Sequence, residues 1–301
     1  MPVAHRLLGW LARRSLRFLH ALGAALGWAG YLLSPSYRRR LDANATLAGV
    51  GRAERRAAVA EAGKLVAELP RLWLRPAGRA IEDPVAWDGA ALIDDALAAG
   101  RGLVLLTPHM GSFEICAQAY AERFGARQPV TVLYRPARQA WLRELEETAR
   151  ARPALATAPA SLAGVRQMMR ALRRGETLGL LPDQVPPEGM GVWAPFFGQP
   201  AYTMTLAARL VLQTGAAVHL IWGERLPRGA GYVLHVRPLA QPLPGQGEQD
   251  EPAWMASAAA AINRSMETLI RERPSQYLWG YHRYKTPVSY THLTLPTSDL
   301  V

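Results

Sequence analysis

The chain has 301 residues and half of them are hydrophobic, so it can bury the cores of one or two domains, and a largely disordered protein is excluded. Lys and Arg number 35 against 24 Asp and Glu, which gives a formal net charge of +11 and predicts anionic partners such as nucleic acid, phospholipid or an acidic protein. The single cysteine, Cys116, excludes an intramolecular disulfide and cysteine-rich zinc modules.

The N-terminal region carries an apolar run at residues 18–33, between arginine clusters at 13–17 and 38–40. The run is shorter than the roughly 18 residues expected of a spanning helix. We predict a membrane-associated helix within residues 1–34 that faces anionic lipid, and whether it spans the bilayer or lies on it stays open. The alternative is a buried, Ala- and Gly-rich helix of a globular protein.

The rest of the chain divides into residues 35–287, predicted to form one main domain, and a tail at 288–301. The tail changes character abruptly and is typical of adapter or read-through sequence. We expect it to be non-native and disordered or loosely packed.

The main domain begins with an amphipathic helix that contains Val59, Val66 and Leu69 and is expected to stop at Pro70. Short apolar runs then alternate with helical patterns. The predicted strands are 102–107, 130–134, 177–181 and 216–222, and the predicted helices are 115–124, 139–151, 162–173 and 203–213. A turn at 227–231 leads into a strand at 232–237 on an antiparallel edge, and a last helix runs from 253 to about 273. This alternation predicts an α/β fold with a mostly parallel mixed sheet flanked by helices.

Polar residues follow three of the predicted strands. His109 comes after the first, Arg135 after the second, and Asp183 with Gln184 after the third. Since sites in open α/β sheets lie beyond the carboxyl ends of the strands, we expect these side chains to share one edge. The chain has no phosphate-binding GxxxxGK[ST] motif, no GxSxG and no HExxH, and its other histidines lack metal-ligand spacing, so no metal site is predicted.

His109 and Glu114 are separated by the turn into a helix, so the carboxylate can reach one ring nitrogen and leave the other as a base. Backbone N–H groups near Gly111 are candidates for binding a developing oxyanion. The segment offers no good protein nucleophile, because Cys116 lies within the helix and Ser112 suits its N-cap. Direct attack by an acceptor hydroxyl is therefore the economical mechanism.

These residues resemble the lipid A biosynthesis acyltransferases of Gram-negative bacteria, the lauroyl and myristoyl transferases of the lysophospholipid acyltransferase superfamily. His109 and Glu114 match the superfamily's His-x4-Asp/Glu motif. Four further blocks follow in the family's order along residues 5–287. They are Tyr134-Arg135-Pro136, Asp183-Gln184, Phe196-Phe197-Gly198 with Thr203, and the closing Pro274 to Trp279 with Arg283-Tyr284-Lys285.

The resemblance implies a glycerolipid-acyltransferase-like fold and transfer of a fatty acyl chain from acyl carrier protein to a hydroxyl of a lipid A precursor, in lipopolysaccharide biosynthesis at the cytoplasmic face of the inner membrane. His109 and Glu114 would form the general-base dyad, and no cofactor is required beyond the acyl carrier protein co-substrate. Substrate contacts would come from Arg135, which suits a phosphate, together with Asp183, Gln184 and Gly111. Phe196 and Phe197 are candidates for an acyl groove.

Two departures leave the acceptor open. The chain has Ser112-Phe113 where the family often has Asn-Trp, and Tyr281 where it often has His. An acyltransferase of the same superfamily that acts on another glycolipid or on a lysophospholipid is the first alternative. A basic nucleic-acid-binding protein is the second, but its arginines are spread along the chain without a recognised binding module, and no nucleic acid is expected as a partner.

Overall fold

The computed structural model of the protein describes residues 2–134, 139, 143, 149, 151–245, 247 and 250–287. The predicted helix at 139–151 lies largely outside the described residues, and Arg135 and the 288–301 tail lie wholly outside them. The strands are β1 (Val85–Asp88), β2 (Leu103–Leu106), β3 (Val130–Tyr134), β4 (Leu155–Pro159), β5 (Thr177–Leu180), β6 (Gly191–Phe196), β7 (Gln199–Met204), β8 (Ala217–Arg225) and β9 (Tyr232–Pro238).

Within the described part of the chain, the main sheet has seven strands in the order β1-β9-β8-β2-β5-β3-β4. Strand β2 pairs in parallel with both neighbours, so that Leu103 lies opposite Thr177 of β5 and Ala217 of β8. Strands β3 and β4 continue in the same direction, whereas β9 runs antiparallel to β8 and β1 runs parallel to β9. The predicted mostly parallel mixed sheet, including its antiparallel strand, is therefore confirmed.

Helices cover both faces of this sheet. They are α1 (Pro2–Ala12), α2 (Leu16–Leu33), α3 (Pro35–Leu47), α4 (Arg52–Trp73), α5 (Ala91–Ala99), α6 (Phe113–Phe124), α7 (Leu162–Arg173), α8 (Leu206–Thr214) and α9 (Glu251–Glu272). In β2, Leu103 and Leu105 pack into the core under α5 and α6, whereas Val104 and Leu106 pack into the core under α7, α8 and α9. Because both faces are covered, this strand consists of apolar residues only.

A two-stranded hairpin, β6–β7, stands apart from the main sheet and was not predicted from the sequence. Phe196 lies opposite Gln199, which leaves Phe197 and Gly198 as a two-residue turn with positive φ at both positions. This is the backbone geometry that matches the twist of paired strands. The hairpin takes Thr203 into a strand, so the helix predicted from residue 203 begins at Leu206.

Helix α2 packs against α4 through glycine. A Cβ atom on Gly63 would collide with the backbone of Gly23 and Gly27, so only glycine allows the two helices to approach this closely. By length and composition, α2 is apolar enough to cross a membrane, with a mean hydropathy of 1.2 and 22% of its residues buried.

Helix α4 continues through Pro70 and ends at Trp73, so the prediction that Pro70 would stop it is wrong. Proline removes the N–H that would donate to the carbonyl of Val66. Val66 is exposed, so water can reach that end of the helix, and the loss falls within its last turn.

A buried ion network fixes α2 and α4 to the sheet. Glu68 of α4 is fully buried, with its carboxylate 3.0 Å from Nε2 of His20 in α2 and 3.2 Å from Nη1 of Arg225 at the end of β8. Burial alone would raise the pKa of Glu68, but Arg225 and His20 together hold it below its ordinary value. The N-terminal apolar helix is therefore attached to the domain by a buried hydrogen bond as well as by close packing.

Candidate active site

The site lies at the carboxyl edge of two adjacent strands. Strand β2 ends at Leu106 and β5 ends at Leu180, which are partners in the parallel ladder. His109 follows the first strand, and Asp183 and Gln184 follow the second. The structure thus brings these three predicted residues together at one edge.

The imidazole of His109 has a partner on each ring nitrogen. Nδ1 lies 2.7 Å from Oδ1 of Asp183, and the backbone N–H of His109 donates to the other carboxylate oxygen at 2.9 Å. Nε2 lies 3.0 Å from the amide nitrogen of Gln184. An ionised carboxylate accepts only, so Nδ1 carries the proton and the lone pair of Nε2 accepts from the Gln184 amide. This tautomer presents Nε2 as the base.

Asp183 is almost completely buried, with 2% of its surface exposed. Burial by itself raises the pKa of this carboxyl, but the His109 imidazole, its hydrogen bonds and the nearby Arg283 guanidinium hold it below its ordinary value. The same negative charge adds to burial in raising the pKa of Tyr277 well above its ordinary value. Asp183 therefore stays ionised and holds the imidazole, and its predicted contact with substrate stays a prediction.

The structure places Glu114 beside Trp73. It lies in the first turn of α6, and its carboxylate accepts a hydrogen bond of 3.1 Å from the indole N–H of Trp73 at the end of α4. The ring nitrogen assigned to Glu114 from the sequence binds Asp183 instead. The two carboxylates are 69 positions apart in the chain (183 − 114), and only the pairing of β2 with β5 brings the distant one to His109.

The backbone around Gly111 is already hydrogen bonded. The N–H of Gly111 donates to the carbonyl of Gln276 at 2.9 Å, and the N–H of Ser112 donates to the carbonyl of Gly223 at 2.8 Å. These two amides therefore bond within the fold, and the predicted oxyanion-binding role of Gly111 stays a prediction. Glycine is required here because φ is +55° and a Cβ atom would collide with the Gly223 carbonyl.

The segment after α9 holds the His109 turn in place, and reasoning from residue chemistry alone missed it. The N–H of Leu278 donates to the carbonyl of His109 at 3.1 Å. The side-chain amide of Gln276 bonds both the N–H and the carbonyl of Arg225, each at 3.0 Å. The resemblance to the family's closing block was the only sequence signal for this role.

Phe196 and Phe197 are both buried. Their ring centroids lie 4.8 Å apart, and the Phe197 ring packs 5.6 Å from Trp279. The backbone N–H of Phe197 donates to Glu267 of α9 at 2.7 Å. The two rings thus fasten the β6–β7 hairpin to the core, and the acyl groove predicted for them stays a prediction.

Cys116 is buried, and burial raises the pKa of its thiol to about 12. A thiol that stays protonated is a poor nucleophile, which agrees with its predicted role as a small packing residue. In the part of the chain that the structure describes, no group of three or more His, Cys, Asp or Glu side chains is placed to hold a metal ion.

Comparison with known proteins identifies the family. The family of bacterial lipid A biosynthesis acyltransferases matches residues 11–286, which is nearly the whole chain. This chain belongs to that family. It is 28% identical over 199 residues to a lipid A biosynthesis lauroyltransferase of Escherichia coli K12, a match that covers 66% of this chain and 61% of the relative.

Two further relatives have similar names. A lipid A biosynthesis palmitoleoyltransferase of Escherichia coli K12 is 26% identical over 225 residues, covering 74% of this chain and 69% of the relative. A lipid A biosynthesis acyltransferase of Haemophilus influenzae is 27% identical over 187 residues, covering 62% of this chain and 56% of the relative. The matched part of this chain thus spans about three fifths of the lauroyltransferase's length. The relatives named here are acyltransferases, and the alternative of a nucleic-acid-binding protein gains no support from them.

Proposed function

We propose that the protein transfers a fatty acyl chain from acyl carrier protein to a hydroxyl of a lipid A precursor. Family membership and the relatives' names support the reaction class. The observation that carries the proposal is the His109 imidazole, with Nδ1 on the buried Asp183 carboxylate and its Nε2 lone pair directed at a side-chain amide. An acceptor hydroxyl in place of that amide would meet a correctly oriented general base.

In the proposed mechanism, the acceptor hydroxyl displaces the Gln184 amide at Nε2. As the hydroxyl oxygen attacks the thioester carbon, Nε2 takes its proton and the negative charge of Asp183 stabilises the imidazolium. The tetrahedral intermediate collapses, the carbon–sulfur bond breaks, and the thiolate leaving group takes the proton back from Nε2. The products are an ester and a free thiol, and no protein nucleophile is required.

We also propose that the protein works at the cytoplasmic face of the inner membrane, with α2 as its membrane-associated helix. The length and composition of α2 support this placement. The net charge of +11 favours attraction to anionic lipid, to an acidic carrier protein and to a phosphorylated acceptor. Because Arg135 lies outside the described residues, its contact with a substrate phosphate stays a prediction.

The test is mass spectrometry of a tetra-acylated lipid A precursor after incubation with acyl carrier proteins loaded with chains of several lengths. We expect one added acyl mass, carried as an ester. His109→Ala should lower the rate by on the order of 10³-fold, whereas the control His282→Ala, at an exposed histidine, should leave it unchanged.

Two outcomes would contradict the proposal. Transfer only to other glycolipids or to lysophospholipids would keep the reaction class and reject the acceptor. Equal rates of acyl transfer from acyl-CoA and from acyl carrier protein would reject acyl carrier protein as the specific donor.

A further inference from the structure

A cavity of about 570 Å³ lies between α1, the end of α4 and the loop that follows α4. Four arginines line it, namely Arg13, Arg71, Arg75 and Arg79, against two carboxylates, Glu82 and Asp83. None of the His109, Asp183 or Gln184 side chains belongs to its wall. The wall of the cavity therefore includes none of these three residues from the edge of β2 and β5, and its arginines outnumber its carboxylates.

Two of the four guanidinium groups are committed to the fold. Arg71 bonds Asp83 at 2.6 Å, Glu82 at 3.2 Å and the carbonyl of Arg14 at 3.0 Å. Arg75, with 6% of its side chain exposed, lies 2.7 Å from Glu122 and bonds Gln118 at 2.8 Å. Among the described residues its Nε has no acceptor. These two arginines, each paired with a carboxylate, form part of the inner wall.

The other two arginines, Arg13 and Arg79, have N–H donors that are available to a ligand. The Arg13 side chain is exposed and has no ion-pair or hydrogen-bond partner in the described part of the chain. In the described part of the chain, the Arg79 side chain pairs only with Glu82, at 3.4 Å on the surface. Because Arg13 follows α1 and Arg79 lies in the loop after α4, they approach the cavity from different walls, and an anion between them would receive donors from both sides.

The wall formed by α1 continues into an apolar surface. Leu8 and Ala12 line the cavity, and Leu7 and Trp10 on the same helix are exposed at 55% and 41%. The ring of Trp10 packs at 5.7 Å from that of Phe18, at the start of α2, and Phe18 is also exposed. Exposed aromatic and aliphatic side chains beside arginines are typical of a helix at the lipid–water interface.

We propose that this cavity binds the phosphate headgroup of an anionic phospholipid, with Arg13 and Arg79 as the contacts that close on it and the α1 surface facing the acyl chains. A free phosphate ion would use the same guanidinium donors but gain nothing from the apolar wall. The lipid is therefore the occupant that uses both features. Binding here requires neither acyl donor nor acceptor, so it stands or fails independently of the proposed transfer.

The test measures binding of water-soluble, short-chain phosphatidylglycerol to the full chain in non-ionic detergent by titration calorimetry. Short-chain phosphatidylcholine and inorganic phosphate are the comparison probes. We expect saturable binding of phosphatidylglycerol only, weakened about tenfold or more in Arg13→Glu/Arg79→Glu. The matched control is Arg170→Glu/Arg173→Glu on α7, which makes the same change in charge at exposed positions and should bind like the unmodified protein.

Each contrary outcome overturns the proposal. If inorganic phosphate binds as tightly as phosphatidylglycerol, the occupant is not a lipid. If phosphatidylcholine binds as tightly, the site does not recognise negative charge. If the α7 control weakens binding as much as Arg13→Glu/Arg79→Glu, the cavity is not the binding site. Because the Arg13 side chain has no partner among the described residues, Arg13→Glu alone tests the site with little effect on the fold. An unchanged affinity in that variant would also overturn the assignment.

Discussion

At the catalytic edge the side chains of His109, Asp183 and Gln184 bind one another, whereas α2 leaves large apolar side chains exposed, among them Leu26, Leu32 and Leu33. The first region combines a buried carboxylate with a partly exposed imidazole. The second is attached to the domain along one side only, through glycine contacts and the Glu68 network, and its other side has no partner in the described chain. One region thus fixes an imidazole through hydrogen bonds on both ring nitrogens, whereas the other leaves apolar side chains exposed.

The sharpest test of the edge that carries His109 exchanges Asp183 and, separately, Glu114 for the matching amide. Asp183→Asn should lower kcat/KM by on the order of 10³-fold, because the amide cannot hold Nδ1–H in the required tautomer or stabilise the imidazolium. Glu114→Gln should cost about tenfold, because Glu114 accepts a hydrogen bond from Trp73, whereas Asp183 is the carboxylate at Nδ1 of His109. Steady-state kinetics on an acyl thioester measures both. A larger loss in Glu114→Gln would restore the pairing of His109 with Glu114 predicted from the sequence.

The buried network at the other region is tested by Glu68→Gln. Removing the carboxylate leaves Arg225 buried with reduced compensation, so the free energy of unfolding should fall by about 3 kcal/mol. The folded-state pKa of Glu68 is depressed below its ordinary 4.5, so its contribution is present above pH 4.5 and is lost as the pH falls through the folded pKa. The free energies of unfolding of the unmodified protein and of Glu68→Gln, measured by denaturation between pH 7 and about pH 3, should therefore converge as the pH falls. A gap that stays constant with pH would show that Glu68 acts by packing alone.

The smallest expected effect concerns the glycine contact between α2 and α4. Gly63→Ala should destabilise the protein by about 1–3 kcal/mol, because the new methyl group meets the backbone of Gly23 and Gly27. In Gly30→Ala, the matched control within α2, no atom lies within 4 Å of the added Cβ, so a gain of about 0.5–1 kcal/mol from helix propensity is expected. Chemical denaturation in detergent compares the two, and similar values for both would mean that the helices separate easily.

Much of the sheet could be predicted from local pattern. The apolar runs at β2, β3, β5 and β8 and the turn before β9 are visible in the sequence because each strand is buried on both faces or paired after a Pro/Gly turn. Strands β1, β4, β6 and β7 were missed, because their short runs include exposed positions and lack a continuous apolar signal. The predicted boundary at residue 34 stays a prediction.

The sequence by itself determined that His109, Asp183 and Gln184 share one edge, since the carboxyl ends of parallel strands meet there. It also carried the family's five motifs in order. Only the tertiary structure decided which carboxylate orients His109, because the order of β2 beside β5 is a long-range property that local periodicity does not encode. The same holds for Gly111, whose N–H is taken by Gln276, a residue brought to it by the chain folding back after α9.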